Sequence, residues 1–290
     1  MVRMSIETPA VAIATEVNCK NCGAALSGKF CSQCGQPDKH SDPTFHEFLH
    51  ELVHEFLHLD GKIFATLKAL ILKPGLLSAD YFAGRRAWCI GAVRLYLTFS
   101  VLFFVVSGWH TGLRVLVDGK EVPDSQLKAS ITSKMKPSDT QGSSFSAHLN
   151  RMIVAAADNP ELVRHTFLTN ISRVMFLLVP LFALGLWIVY RKHGKHYPAF
   201  LYFSLHYHAF LFVALTVVAI AQMVKSTQVP RIVAAPVAIW IMVYLFIALR
   251  RVFGGSRMNT ALRMVGLAVF YLPCLALAFV GLQLATIYSY

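Results

Sequence analysis

Cys19, Cys22, Cys31 and Cys34 have the residue type and spacing of a metal site. Each pair forms a CxxC turn, which brings two thiolates to one side of the backbone. A glycine follows each second cysteine, Gly23 and Gly35, and glycine permits the positive-φ geometry of a tight knuckle. Four sulfurs close a tetrahedral Zn²⁺ shell and leave no position for a substrate, so the expected chemistry is structural. A redox dithiol belongs with a βαβ context that this stretch lacks. A disulfide framework needs an oxidising compartment, whereas ribbon thiolates need a reducing one. Residues 19–38 therefore read as a zinc ribbon, with too little apolar surface to fold without its metal.

A second chemical stretch follows. His46-Glu47-Phe48-Leu49-His50 is an HExxH, repeated at His50–His54 with Glu51 and at His54–His58 with Glu55. Residues at i and i+4 share a helical face, so each His pair can chelate a metal. On a wheel of about 100° per residue, the histidines and glutamates take one side. Phe45, Phe48, Leu49, Leu52, Val53 and Phe56 take the other. Such a helix suits a membrane–water interface. The His/Glu side is then a wet face, a metal-binding or pH-responsive stripe, or the core of a metalloprotease. The last requires a third ligand and a closed cleft, and neither is evident.

The third candidate is the pair His206 and His208. They lie in Tyr197–Val224, which carries no Asp, Glu, Lys or Arg. Ionisable groups at membrane depth are costly and face a bundle interior. At i and i+2 the two rings point about 160° apart, so a regular helix cannot aim both at one ion. Tyr202 and His206 share a face and can hydrogen-bond. The histidines serve either as interhelical hydrogen bonds or in passage of a proton, metal or substrate. No acid occurs in any span core, which counts against an ordinary cation-coupled transporter.

The elements that position these residues follow from composition. Of 290 residues 56% are hydrophobic and 14% charged, against about 25% charged in soluble domains. The expected fold is an all-α polytopic membrane protein with about five transmembrane helices, a small N-terminal zinc ribbon and amphipathic helices. The spans are expected near 92–109, 172–190, 198–223, 232–249 and 264–288, in a transmembrane domain of residues 91–290. Pro180, Pro236 and Pro273 are tolerated in packed membrane helices as kinks. The 111–170 loop is expected outside the cytoplasm. It holds a hairpin at Val115–Val122 turned by Asp118-Gly119, and a helix start at Asn159-Pro160. Residues 1–18 read as a disordered lead-in without a signal peptide. Residues 44–90 read as amphipathic interfacial helices, one of them Lys62–Leu72, ended by Lys73-Pro74-Gly75. Ser78–Arg86 reads as a polar approach whose Arg85 and Arg86 meet anionic lipid heads.

The net charge of +12 does not imply nucleic acid, because most Lys and Arg flank the apolar runs. Residues 191–195 carry three basic residues and no acid, and 250–263 carry four and no acid. Lys73, Arg85, Arg86 and Arg94 precede the first span. Five spans with the N-terminus in the cytosol place all three segments inside and the C-terminus outside. The same arrangement puts the ribbon in the reducing compartment.

Certain residues together resemble a known family. They are the double CxxCG ribbon with Phe30-Cys31, Lys-Pro-Gly at 73–75 and Tyr-Phe-Ala-Gly-Arg-Arg at 81–86. Met-Phe-Leu-Leu-Val-Pro-Leu-Phe-Ala at 175–183 and Leu-His-Tyr-His-Ala-Phe at 205–210 complete the set. The chain is similar to an uncharacterised bacterial inner-membrane family that joins a zinc ribbon to several transmembrane helices. Cys89-Ile90-Gly91 departs from the aromatic and proline pattern expected there. The resemblance implies a multi-pass inner-membrane location and brings no activity. The expected function is a binding or regulatory module at the cytosolic face. It is embedded in the lipid bilayer and meets a cytosolic protein through the ribbon. The alternatives are a small transporter using His206 and His208, and a membrane metalloenzyme using His46, His50, His54 and His58.

Overall fold

The computed structural model describes residues 18–37, 62–109, 116–117, 120–121, 160–224 and 228–288. The lead-in and the His46, His50, His54 and His58 stripe lie outside the described residues. After the ribbon come α1 (Ile63–Leu72), α2 (Leu76–Phe82) and α3 (Ala92–Trp109). Strands β1 (Leu116–Val117) and β2 (Lys120–Glu121) follow, then α4 (Pro160–Tyr190) and a 3₁₀ turn (Arg191–His193). The chain continues through α5 (Tyr197–Gln222), α6 (Gln228–Phe253) and α7 (Arg257–Tyr288). The strands pair antiparallel, Leu116 opposite Glu121 and Val117 opposite Lys120, as the Asp118-Gly119 turn signal predicts.

Helix α5 is the centre of the bundle. It is apolar on every face, and a helix of that kind must be enclosed. Every residue from Ala199 to Phe210 is buried. Helices α3, α4 and α6 pack against it, and α7 packs on α4 and α6. Aromatic rings fill the seams. Phe210 stacks on Tyr244 of α6 at 3.6 Å between centroids. Phe212 meets Phe103 and Phe104 of α3. Pro198 stands in the first turn of α5, where its missing N–H costs nothing. Near Pro180 of α4, polar side chains of α5 add donors to the backbone. Tyr197 donates to the Pro180 carbonyl at 3.0 Å and Ser204 to the Val179 carbonyl at 2.8 Å.

Among the described residues, three helices are long and apolar enough to cross a bilayer: Tyr197–Gln222, Gln228–Phe253 and Arg257–Leu282. The other two expected spans fall on helices α3 and α4, whose apolar stretches Ala92–Gly108 and Val174–Tyr190 are shorter.

Segment 78–86 differs from the sequence expectation of a polar approach. Its first half folds into α2, and Leu77, Ser78, Asp80 and Tyr81 are buried. Burial is possible because the polar groups are matched. Ser78 pairs with His206, Asp80 pairs with Arg85, and Tyr81 stacks on Tyr202 at 4.0 Å. Gly75, at φ 73°, turns the chain from α1 into α2. A Cβ there would lie 2.8 Å from Ala248 Cα, so only glycine lets this turn close onto α6. Arg251 of α6 donates to the Pro74 carbonyl at 2.6 Å.

Candidate metal centre

The two knuckles repeat one backbone pattern. Gly23 N–H donates to the Cys19 carbonyl and Cys19 N–H to the Ala24 carbonyl, both at 2.8 Å. Gly35 N–H donates to the Cys31 carbonyl and Cys31 N–H to the Gln36 carbonyl, both at 2.9 Å. Gly23 and Gly35 take φ of 79° and 70°, as the CxxCG spacing predicts. Short bridges, Asn18 to Ala25 and Phe30 to Pro37, flank the loops.

All four sulfurs lie within 4.8 Å of one another. Cys19 Sγ is 3.6 Å from Cys34 Sγ, and Cys22 Sγ is 3.5 Å from Cys31 Sγ. A Zn–S bond of about 2.3 Å requires tetrahedron edges of about 3.8 Å, so the cluster fits such an ion with little movement. The backbone N–H groups of Cys34 and Gln33 hold Cys31 down to about 6. At Cys22 the Ala24 N–H pulls downward, but hydrogen bonding to Cys31, desolvation and the remaining sulfurs outweigh it and lift the thiol to about 12.

Gln36 hydrogen-bonds the ribbon to the helical bundle. Gln36 Nε2 donates to the Gly84 carbonyl at 2.6 Å. Its Oε1 accepts from the N–H groups of Arg86 and Ala87 at 2.9 and 3.2 Å. Gly84 takes φ 81°, and a Cβ there would lie 2.7 Å from Lys20 Cδ. The seat is the turn that leaves α2, at the basic end of the bundle. There Arg86 lies over the Tyr81 ring at 4.0 Å, Lys195 over Phe82 at 4.6 Å and Arg263 over Tyr190 at 4.5 Å. With Arg251 on Pro74, these contacts draw the three basic segments of the sequence together.

His206 and His208 face opposite walls of α5, as their spacing predicts. His206 Nδ1 is 3.0 Å from Ser78 Oγ of α2. His208 Nδ1 is 2.8 Å from the Ser204 carbonyl, and its Nε2 is 3.3 Å from the Tyr271 hydroxyl of α7. The two rings therefore share no ion. The cleft beside His206, bounded by Gly75, Tyr207, Tyr244 and Ala248, encloses about 210 Å³ including its mouth. Both histidines join helices in the manner of polar ties within a bundle.

Gln36, Ser78 and Tyr271 escaped the sequence reading. Gln36 adjoins a knuckle glycine, yet nothing local distinguishes it from any other surface glutamine. Ser78 and Tyr271 are matched to histidines by folding alone.

Residues 60–104 match a family described as a protein of unknown function, DUF3667. The match takes in the Lys73-Pro74-Gly75 turn, buried α2 and the Arg85-Arg86 turn on which the ribbon sits. The ribbon and the histidine helix lie outside it. No curated protein and no solved structure matches the chain.

Proposed function

We propose that this is a multi-pass membrane protein whose N-terminal ribbon holds one structural Zn²⁺ through Cys19, Cys22, Cys31 and Cys34. The ribbon serves as a binding or regulatory module at the cytosolic face of the inner membrane. The convergence of four sulfurs carries the reading. All-thiolate coordination selects a soft or borderline ion, and a closed tetrahedral shell suits Zn²⁺. A bound ion of this kind supplies folding energy and no open coordination position.

Orientation follows from charge. The basic end around Arg86, Lys195, Arg251 and Arg263 faces the cytosol by the positive-inside bias, and the ribbon sits on that end. With α3 and α4 completing five crossings, the C-terminus emerges on the other side. A cytosolic protein meeting the ribbon is the partner in this reading. The arrangement favours it over transport, because His206 and His208 are engaged on opposite walls of α5.

The test is elemental analysis of detergent-purified protein, wild type beside a Cys19→Ser/Cys22→Ser variant. One zinc per chain, lost in the variant, is expected. A chain that carries no zinc sinks the reading. An equivalent that survives the variant moves the metal to histidines and revives the metalloenzyme.

A further inference from the structure

Gln36 belongs to two structures at once. Its backbone carbonyl accepts the Cys31 N–H that closes the second knuckle, at 2.9 Å. Its side chain makes the three hydrogen bonds that hold the turn at 84–87. That turn is bound tightly to α2. Arg85 N–H donates to the Asp80 carbonyl at 2.8 Å, and the Arg85 side chain pairs with Asp80. Arg86 covers the Tyr81 ring, and Tyr81 stacks on Tyr202 of α5, one helical turn before His206. A continuous series of contacts thus runs from the cysteine cluster to the centre of the bundle.

A small four-cysteine loop does not keep its backbone form once its metal is removed. The position of the Gln36 carboxamide depends on that form. Without it, the N–H groups of Arg86 and Ala87 and the Gly84 carbonyl lose their partner together.

We infer that Gln36 is a metal-linked clamp: a thiophilic divalent cation in the cysteine site locks the 84–87 turn onto the ribbon, and its removal releases that turn from the ribbon. The inference rests on the ribbon holding metal as proposed above. It adds that the metal state is communicated to α2 and α5 through one side chain. The basic face of Arg85 and Arg86 is therefore presented differently in the metal-bound and metal-free protein.

Hydrogen–deuterium exchange on the full chain in detergent tests it, read at the Arg86 and Ala87 amides. Zinc-loaded wild type is compared with protein stripped by a strong zinc chelator and with zinc-loaded Gln36→Ala, zinc content being measured in each. Stripping should speed exchange at these amides by roughly fivefold to tenfold, the worth of a lost hydrogen bond. Gln36→Ala should reproduce that change with its zinc still bound, and stripping the variant should add nothing there. Unchanged exchange at 86 and 87 after the zinc has gone overturns the clamp and leaves the zinc site standing. Full protection in zinc-loaded Gln36→Ala does the same. Failure of the wild type to hold zinc overturns both.

Discussion

Ser78 Oγ lies 3.0 Å from His206 Nδ1, so residues 128 positions apart tie the short helix α2 to the middle of α5. Both groups are buried, at 1% and 5% exposure, and each would be costly there without the other. The pair explains why a seven-residue helix carrying a serine and an aspartate sits inside an apolar bundle. A double-mutant cycle of Ser78→Ala and His206→Ala should give a coupling of ~0.6 kcal/mol and not above ~1.7 kcal/mol, the range for polar ties in membrane bundles. Thermal unfolding in detergent measures it. Strict additivity of the two single variants would mean that the bond contributes nothing.

The Lys-Pro-Gly turn makes a sharper prediction. Gly75 combines φ 73° with a Cβ position 2.8 Å from Ala248 Cα and 2.9 Å from its carbonyl oxygen. Alanine at that φ costs about 1–2 kcal/mol. Overpacking against backbone, which cannot rotate aside, adds about 1–3 kcal/mol. Gly75→Ala should therefore destabilise by at least ~2 kcal/mol. Gly281→Ala, with open space at its Cβ position, is the control. It should leave the unfolding midpoint within a degree or two. Equal midpoints for the two variants would show that the turn does not approach α6 as closely as described.

What was legible in the sequence follows the same division. Local chemistry was readable: the CxxCG spacing fixed both knuckles and their positive-φ glycines, and Asp118-Gly119 marked its hairpin. Periodicity was readable as well, since the charge-free run from Tyr197 identified the helix that the structure puts at the centre. The opposed directions of His206 and His208 follow from helical geometry alone. Pairings between distant segments were hidden. Ser78 and Tyr81 look like surface residues because their partners, His206 and Tyr202, meet them only in the fold. Gln36 is invisible for the same reason. A glutamine advertises donors and acceptors but not the carbonyl and amides that it will find.

Topology can be tested at the basic end. Lys192, in the turn after α4, and Arg257, at the start of α7, are both exposed. If the positive-inside bias sets the orientation, Lys192→Cys and Arg257→Cys face the cytosol together. Cys89 and Cys274 would be replaced by serine and the ribbon kept in zinc. A membrane-impermeant maleimide should label both variants in inverted vesicles and neither in right-side-out vesicles. Labelling of the two from opposite sides would remove the common basic face on which the ribbon rests.

The cysteine site should release protons as it takes up metal. Only thiolates ligate, so each thiol must lose its proton before its sulfur joins the shell. Cys31, held to about 6, is already ionised at neutral pH, whereas Cys22, lifted to about 12, is still a thiol. The sign follows directly: at lower pH the Cys22 proton is harder to displace, and Cys31 takes one up as well. Affinity should therefore rise with pH and weaken most steeply as the pH falls below about 6. Zinc titrated into metal-free protein at pH 7.5, in a weakly buffered solution with an indicator, should release at least one proton per ion. Uptake without proton release would mean that Cys22 is not a ligand and that the ion is held by some set other than the four cysteines.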